Sequence, residues 1–262
     1  MNYVSTPLRG RLGNNMFQIA AIYKYAKDND LKPVFFFGEN SDSSVSNSIF
    51  LKDIEIVDRS FVNDFVLMDH NHFDYKYLPK PSDDFSVLIS GRMCYFQDKS
   101  YLDKKLTLDL FKPDESVLQK YDDLNERTSI HIRRGDYVRI VKNGGGINMP
   151  EMEYYDSAIK TCDTDKLIIF SDDIPWCKNM FKMYKDVIYS TDPPDQSISA
   201  MSFCKNNILS ASTFGWWGAY LNQNKNKKVV APAYWFKPDA WEVRHGFTTP
   251  ASNLPLKEWI RL

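Results

Sequence analysis

After residue 125 the chain alternates between short apolar or β-branched runs and longer stretches whose apolar positions recur with a helical period. The runs are Ser129–Ile132, Leu167–Phe170, Val187–Tyr189, Asn207–Leu209 and Lys228–Ala231, each too short for a helix. Between them Glu151–Thr161, Pro175–Lys185, Asp195–Lys205 and Thr213–Asn222 predict helices, several opening on an acidic, Ser/Thr or Pro start signal. Strand and helix in turn predict a parallel sheet with right-handed crossovers. The first half is less regular. It predicts a helix from about Asn15 to Lys27 with Phe17, Ala20, Ala21 and Tyr25 on one face, strands at Val34–Phe37 and Phe85–Ile89, and loops with short helices over 38–84. A boundary is expected within Pro113–Glu126, giving an α/β chain of two domains, 1–122 and 123–262.

Composition narrows the function. The 6 Trp, 15 Tyr and 17 Phe of the 262 residues supply too much apolar surface for a disordered chain. All six tryptophans, Trp176, Trp216, Trp217, Trp235, Trp241 and Trp259, fall in the second half, which points to packing there. With 33 Lys+Arg against 34 Asp+Glu, a broadly basic nucleic-acid binder is disfavoured, whereas a small anion needs only a local cluster. Cys94, Cys162, Cys177 and Cys204 lack metal-site spacing and read as reduced thiols of a cytoplasmic protein. The start of the chain has no signal-peptide pattern, and no stretch approaches the ~20 apolar residues of a membrane span. His70-x-His72 has the spacing of a metal half-site but reads as a solvated loop between Asp69 and Asp74, with no functional weight.

Polar residues fall at the carboxyl ends of the predicted strands: Arg133-Arg134-Gly135-Asp136, Ser171-Asp172-Asp173, Ser190-Thr191-Asp192 and Ser210-Ala211-Ser212-Thr213. In an open α/β sheet ligands bind there, so these four segments are expected to line one crevice. Arginine suits an anion because its planar fork binds phosphate oxygens bidentately and stays charged. By strand alternation Arg133 shares a face with His131, and Arg134 points the other way. A surface Arg–Asp ion pair is the competing reading. Asp172 or Asp173 can accept parallel hydrogen bonds from a guanine, bind ribose hydroxyls, or cap the helix near Pro175. The Ser210–Thr213 turn leads into a helix whose amino terminus favours an anion, or is a simple cap with Trp216 and Trp217 in the core. Gly10-x-x-Gly13-Asn14 is a weak dinucleotide signal, lacking a third glycine and a strong preceding strand. Asn143-Gly144-Gly145-Gly146 reads as a mobile loop beside the crevice or an unstructured surface connection. Asp163-Thr164-Asp165 precedes its strand, the wrong side of the sheet for a D-x-D metal site.

Taken together, Gly10-x-Leu12-Gly13-Asn14-x-Met16-Phe17-Gln18, His131-x-Arg133-Arg134-x-Asp136, Phe170-Ser171-Asp172-Asp173, Met201-Ser202-x-Cys204-Lys205 and Ser212-x-Phe214-x-Trp216-Trp217-Gly218-Ala219 resemble the family 11 glycosyltransferases, the α-1,2-fucosyltransferases. Ala231-Pro232-x-x-Trp235-Phe236 extends the match. The resemblance implies a GT-B-like arrangement of two Rossmann-type halves facing a central cleft. It implies an inverting transfer of L-fucose from GDP-β-L-fucose to the 2-hydroxyl of a galactose-type acceptor, without a metal or other cofactor. It further implies that Arg133 contacts the β-phosphate, supported by His131 and Arg134; that Asp173 reads guanine, beside Asp172; and that Ser212 and Thr213 lie near the diphosphate. Gly13 and Asn14 are implied to lie near the sugar or phosphate. Asp136 is the nearest carboxylate in sequence, as acceptor base or as the group orienting Arg133 or Arg134. The chain departs from the family pattern with Arg11 for a glycine, Asn15 for glutamine and Thr213-Phe214-Gly215 for Ser-Phe-Ser. A non-catalytic nucleotide- or glycan-binding module is the alternative. The expected partners are GDP-fucose and a galactoside-containing oligosaccharide, with no nucleic acid and no transmembrane segment. The expected location is the cytoplasm, peripheral at the inner membrane where the acceptor is lipid-linked.

Overall fold

The computed structural model describes residues 1–72, 74–81, 84–91, 94–240 and 254–262. The chain divides into two compact units, Met1–Lys112 and Pro113–Leu262. The division lies ahead of the 122/123 junction because the intervening segment packs into the second unit, where the Tyr121 hydroxyl donates to Asp192 at 2.7 Å.

In the first unit β1 (Tyr3–Gly10), α1 (Leu12–Asp28), β2 (Lys32–Ser41), β3 (Val66–Asp69), β4 (Val87–Ser90) and α2 (Lys104–Leu110) follow one another. The four strands are parallel in the order β2-β1-β4-β3. The expected apolar face of α1 is in the core, with Phe17, Ala20, Ala21 and Tyr25 all buried. Two expectations are corrected. A strong strand does precede the Gly10–Asn14 motif: β1 lies at the centre of its sheet although it contains Ser5, Thr6 and Pro7. Thr6 is buried and its hydroxyl donates to the Ile89 carbonyl at 2.9 Å, so a polar residue occupies a core position with its hydrogen bond satisfied. Residues 38–84 hold the edge strand β3 in addition to short 3-10 turns.

The second unit begins with α3 (Val117–Lys120) and β5 (Thr128–Ile132). It continues through α4 (Gly135–Lys142), α5 (Met152–Cys162), β6 (Lys166–Ser171), α6 (Ile174–Met180), β7 (Asp186–Ser190) and α7 (Pro194–Phe203). It ends with β8 (Asn206–Ile208), α8 (Thr213–Leu221), β9 (Val229–Ala231) and β10 (Ile260–Arg261). All six strands are parallel, in the order β10-β9-β8-β5-β6-β7. Ile130, Ile132, Leu167, Ile169, Ile208 and Val230 face α5 and α6, meeting Tyr155, Ile159, Cys177 and Phe181. On the opposite face Ser129 accepts from the Asn207 amide at 2.7 Å, and that amide also reaches the Met201 carbonyl of α7. The expected tryptophan packing is seen at Trp216, Trp217, Trp235 and Trp259, all buried; Trp241 lies outside the described residues.

Strand order locates the site. The chain lays β6 and β7 to one side of β5 and then returns to lay β8, β9 and β10 on the other. Order therefore reverses between β5 and β8, and their carboxyl ends are where an open α/β sheet parts to admit a ligand.

Candidate active site

At the end of β5 two arginines are held by the carboxylates that follow β6. Arg133 NH1 meets Asp172 Oδ2 at 2.5 Å, and its NH2 donates to Asp136 on the first turn of α4. Arg134 Nε donates to Asp173 Oδ2 at 3.0 Å, and its guanidinium lies over the Trp176 indole, 4.1 Å from the ring centroid. The other oxygen of Asp173 accepts from Trp176 N–H at 3.1 Å and caps α6, so one carboxylate serves as helix cap and arginine partner together. Asp172 is engaged further: its Oδ1 accepts the backbone N–H groups of Arg134 at 2.8 Å and Gly135 at 3.2 Å. A side chain at Gly135 would drive its Cβ into that carboxylate.

The β8 end joins the same set. His131 is buried and its Nδ1 meets the Ser210 hydroxyl at 2.9 Å. A Cβ at Gly215 would stand 2.8 Å from the imidazole, so this glycine lets α8 close onto the ring. Ser212 caps α8, its hydroxyl accepting from Phe214 N–H, and Thr213 is the first residue of that helix. His131, Arg133, Arg134, Asp136, Asp172, Asp173, Ser212 and Thr213 are thus gathered where the strand order reverses. The β7 end is not part of this set, contrary to the expectation of four segments. Asp192 is instead bound by Tyr121 and Lys120, and Lys120 and Asp192 form an ion pair against α3. Gly13 and Asn14 lie in the first unit, on the first turn of α1, where the Gln97 amide donates to Asn14 Oδ1 at 3.0 Å.

Two other expectations, for His70 and for the Gly144–Gly146 segment, change with the structure, and that for Asp163-Thr164-Asp165 does not. His70 is buried rather than solvated, with Nε2 at 2.6 Å from the Tyr101 hydroxyl and its ring stacked on Phe96. The Gly144–Gly146 segment is pinned by backbone hydrogen bonds, from Gly145 N–H to the Ile140 carbonyl at 2.9 Å and from Lys237 N–H to the Gly146 carbonyl at 2.8 Å. Asp163 ends α5 and β6 begins at Lys166, so Asp163-Thr164-Asp165 stands at the amino-terminal edge of the sheet. Among the described residues no three His, Cys, Asp or Glu side chains converge to hold a metal ion. Tyr137 carries no signal in the sequence as a site residue, and Gly135 and Trp176 stand out there only as a strand-end position and as a second-half tryptophan; the spacing of Trp176 three residues after the capping Asp173 hints at its place.

Burial, reinforced by the neighbouring Arg133 charge, pushes the His131 imidazole down to about 3 from 6.5. The native ring stays neutral where the unfolded chain takes up a proton, so its stabilisation is complete above pH ~6.5 and is lost as the pH falls towards ~3. Unfolding free energies of wild type and His131→Asn at pH 7.5 and 5 test this: the gap between them narrows by about 2 kcal/mol at the lower pH. A pH-independent gap would contradict the buried neutral imidazole.

Residues 2–242 match the sequence profile of the family described as Glycosyl transferase family 11. The chain belongs to glycosyl transferase family 11. It is 33% identical over 188 residues to the O-antigen biosynthesis glycosyltransferase WbnK of Escherichia coli, covering 64% of this chain and 59% of that protein. It is 27% identical to an alpha-1,2-colitosyltransferase of Escherichia coli, over 90% of this chain and 93% of that one. Similarity also extends, at 23% identity over 96% of this chain and 74% of the relative, to galactoside alpha-(1,2)-fucosyltransferase 2 of Oryctolagus cuniculus. Solved structures share the fold: fucosyltransferase NodZ from Bradyrhizobium superposes with a TM-score of 0.57 at 9% identity, over 83% of this chain and 91% of that one. POFUT1 in complex with GDP superposes with a TM-score of 0.52 at 11% identity, over 88% and 98%. This family 11 chain has the GT-B type of fold, with a parallel α/β sheet in each unit.

Proposed function

We propose that this family 11 chain transfers L-fucose from GDP-β-L-fucose to the 2-hydroxyl of a galactose-type acceptor, inverting the anomeric centre to give an α-1,2 linkage. The observation that carries the reading is the pair of oriented guanidinium groups at the β5 end, beside the hydroxyl-bearing turn that opens α8. As the fucosyl–phosphate bond stretches, negative charge grows on the β-phosphate. A fixed Arg133 fork stabilises that charge more in the transition state than in the ground state. Asp136 and Asp172 occupy both edges of the fork, and a diphosphate takes the edge held by Asp136, whose side chain is 40% exposed against 28% for Asp172. Asp136 orients Arg133 and, once displaced, is the nearby carboxylate able to accept the acceptor's proton. Asp172 and Asp173 set the arginines, leaving Asp173 at 33% side-chain exposure to meet the guanine. Gly13 and Asn14, on the first turn of α1, are the residues of the first unit that the family resemblance assigns to the sugar. Positive charge comes from arginine, so the reaction requires no metal.

Support comes from family membership and from relatives named as an alpha-1,2-colitosyltransferase and a galactoside alpha-(1,2)-fucosyltransferase. A structure of NodZ, an alpha-1,6-fucosyltransferase of the same fold, was obtained after soaking with GDP-fucose. The colitosyltransferase similarity favours one second reading, a donor carrying colitose, which is L-fucose without its 3-hydroxyl. No helix of the described residues is long and apolar enough to cross a membrane. We place the reaction in the cytoplasm, at the inner membrane where the acceptor is lipid-linked. The test is to mix purified protein, GDP-fucose and a panel of galactosides with a chelator present and to measure released GDP. Acceptor-dependent release is the expected result. Nucleotide binding without release would leave a binding module, and release only with the 3-deoxy sugar donor would select colitosyl transfer.

A further inference from the structure

Arg133 is held along both edges by carboxylates, yet these hydrogen bonds leave the flat faces of its guanidinium unconstrained. Tyr137, the third residue of α4, places its ring 5.3 Å from the guanidinium carbon, within the range of a cation–π contact. Its hydroxyl donates to the Ala211 carbonyl at 3.1 Å. Ala211 is buried between Ser210, which meets His131, and Ser212, which caps α8. α4 has no fully buried side chain of its own, so the Tyr137 hydroxyl is a connection from this helix to the β8–α8 turn.

We propose that Tyr137 is a positioning residue for Arg133. Its ring supports one face of the guanidinium, and its hydroxyl fixes the start of α4 relative to the turn where the donor phosphates are read. This deepens the donor reading, on which it rests, by naming the group that fixes the plane of the phosphate-facing fork. The ring and the hydroxyl act separately: Phe keeps the platform and loses the tether, whereas Leu loses both.

The test uses the full chain in two readouts. In NMR of the arginine Nε–H groups, assigned with Arg133→Lys, the Arg133 signal is ordered in wild type and Tyr137→Phe and is broadened or lost in Tyr137→Leu. In steady-state assays Tyr137→Leu lowers kcat about tenfold while KM for GDP-fucose changes less, and Tyr137→Phe restores kcat to within about threefold. An Arg133 signal as ordered in Tyr137→Leu as in wild type overturns the proposal, as does Tyr137→Phe losing as much kcat as Tyr137→Leu. If wild type shows no GDP-fucose turnover, the donor reading fails while the NMR comparison still decides the positioning role.

Discussion

Arg133→Ala lowers kcat by about 10³-fold, the scale for removing a preorganised group that meets charge developing in a transition state. The fold survives this change. Asp172 keeps the backbone N–H groups of Arg134 and Gly135 as donors, and Asp136 is exposed enough to be hydrated when its partner is lost. Thermal unfolding of the variant should therefore stay close to that of wild type, separating lost chemistry from lost structure. Arg133→Lys restores the charge without the fork, cannot bridge Asp172 and Asp136 as the guanidinium does, and recovers only part of the rate. Near-normal activity in Arg133→Ala would remove the leaving-group role assigned to this residue.

Gly135→Ala is expected to cost about 10²-fold in kcat, the scale of an ångström of misplacement at a reacting centre. The added methyl group would occupy space held by the Asp172 carboxylate. That carboxylate must retreat, loosening at once its bonds to the backbone of Arg134 and Gly135 and to the Arg133 guanidinium. Stability responds weakly. Gly135 is the first residue of α4, where alanine is the better helix former by up to about 1 kcal/mol, which offsets part of the lost hydrogen bonding. In an Asp172→Ala background the methyl group has room, so Gly135→Ala should there have little further effect on kcat, as a double-mutant cycle would measure. Equal losses in both backgrounds would show that the glycine acts by some route other than Asp172.

These two residues show how far the sequence carries the site. His131 through Asp136 and Phe170 through Asp173 could be placed at strand ends because Ser129–Ile132 and Leu167–Phe170 are too short for helices and each is followed by a polar segment, and the strand-end rule then brings Arg133, Asp172 and Asp173 together. Asp173 as the α6 cap was legible from the Pro175 signal. What was not legible depends on distant partners. β1 hides behind Ser5, Thr6 and Pro7, and the partner of Thr6 is a carbonyl 83 residues away on β4. His70 looks solvated between two aspartates, yet Tyr101 and Phe96 from later in the chain enclose it. α4 was missed although Tyr137, Val138, Ile140 and Val141 recur with a helical period, because its first turn reads as the polar strand-end segment Arg133–Asp136 and none of its side chains is fully buried. Its place is fixed instead at the site, through Asp172, Arg133 and Tyr137. Ser190-Thr191-Asp192 shares the strand-end position of the other segments, but Tyr121 and Lys120 claim Asp192 just beyond the outermost strand.

The most direct measurement is the structure of the product formed from GDP-β-L-fucose and a terminal galactoside, determined by NMR with a chelator present. The account predicts a single fucose in the α configuration, with its anomeric proton correlated to galactose C2. A β-linked product, or fucose attached at any other hydroxyl, would contradict it.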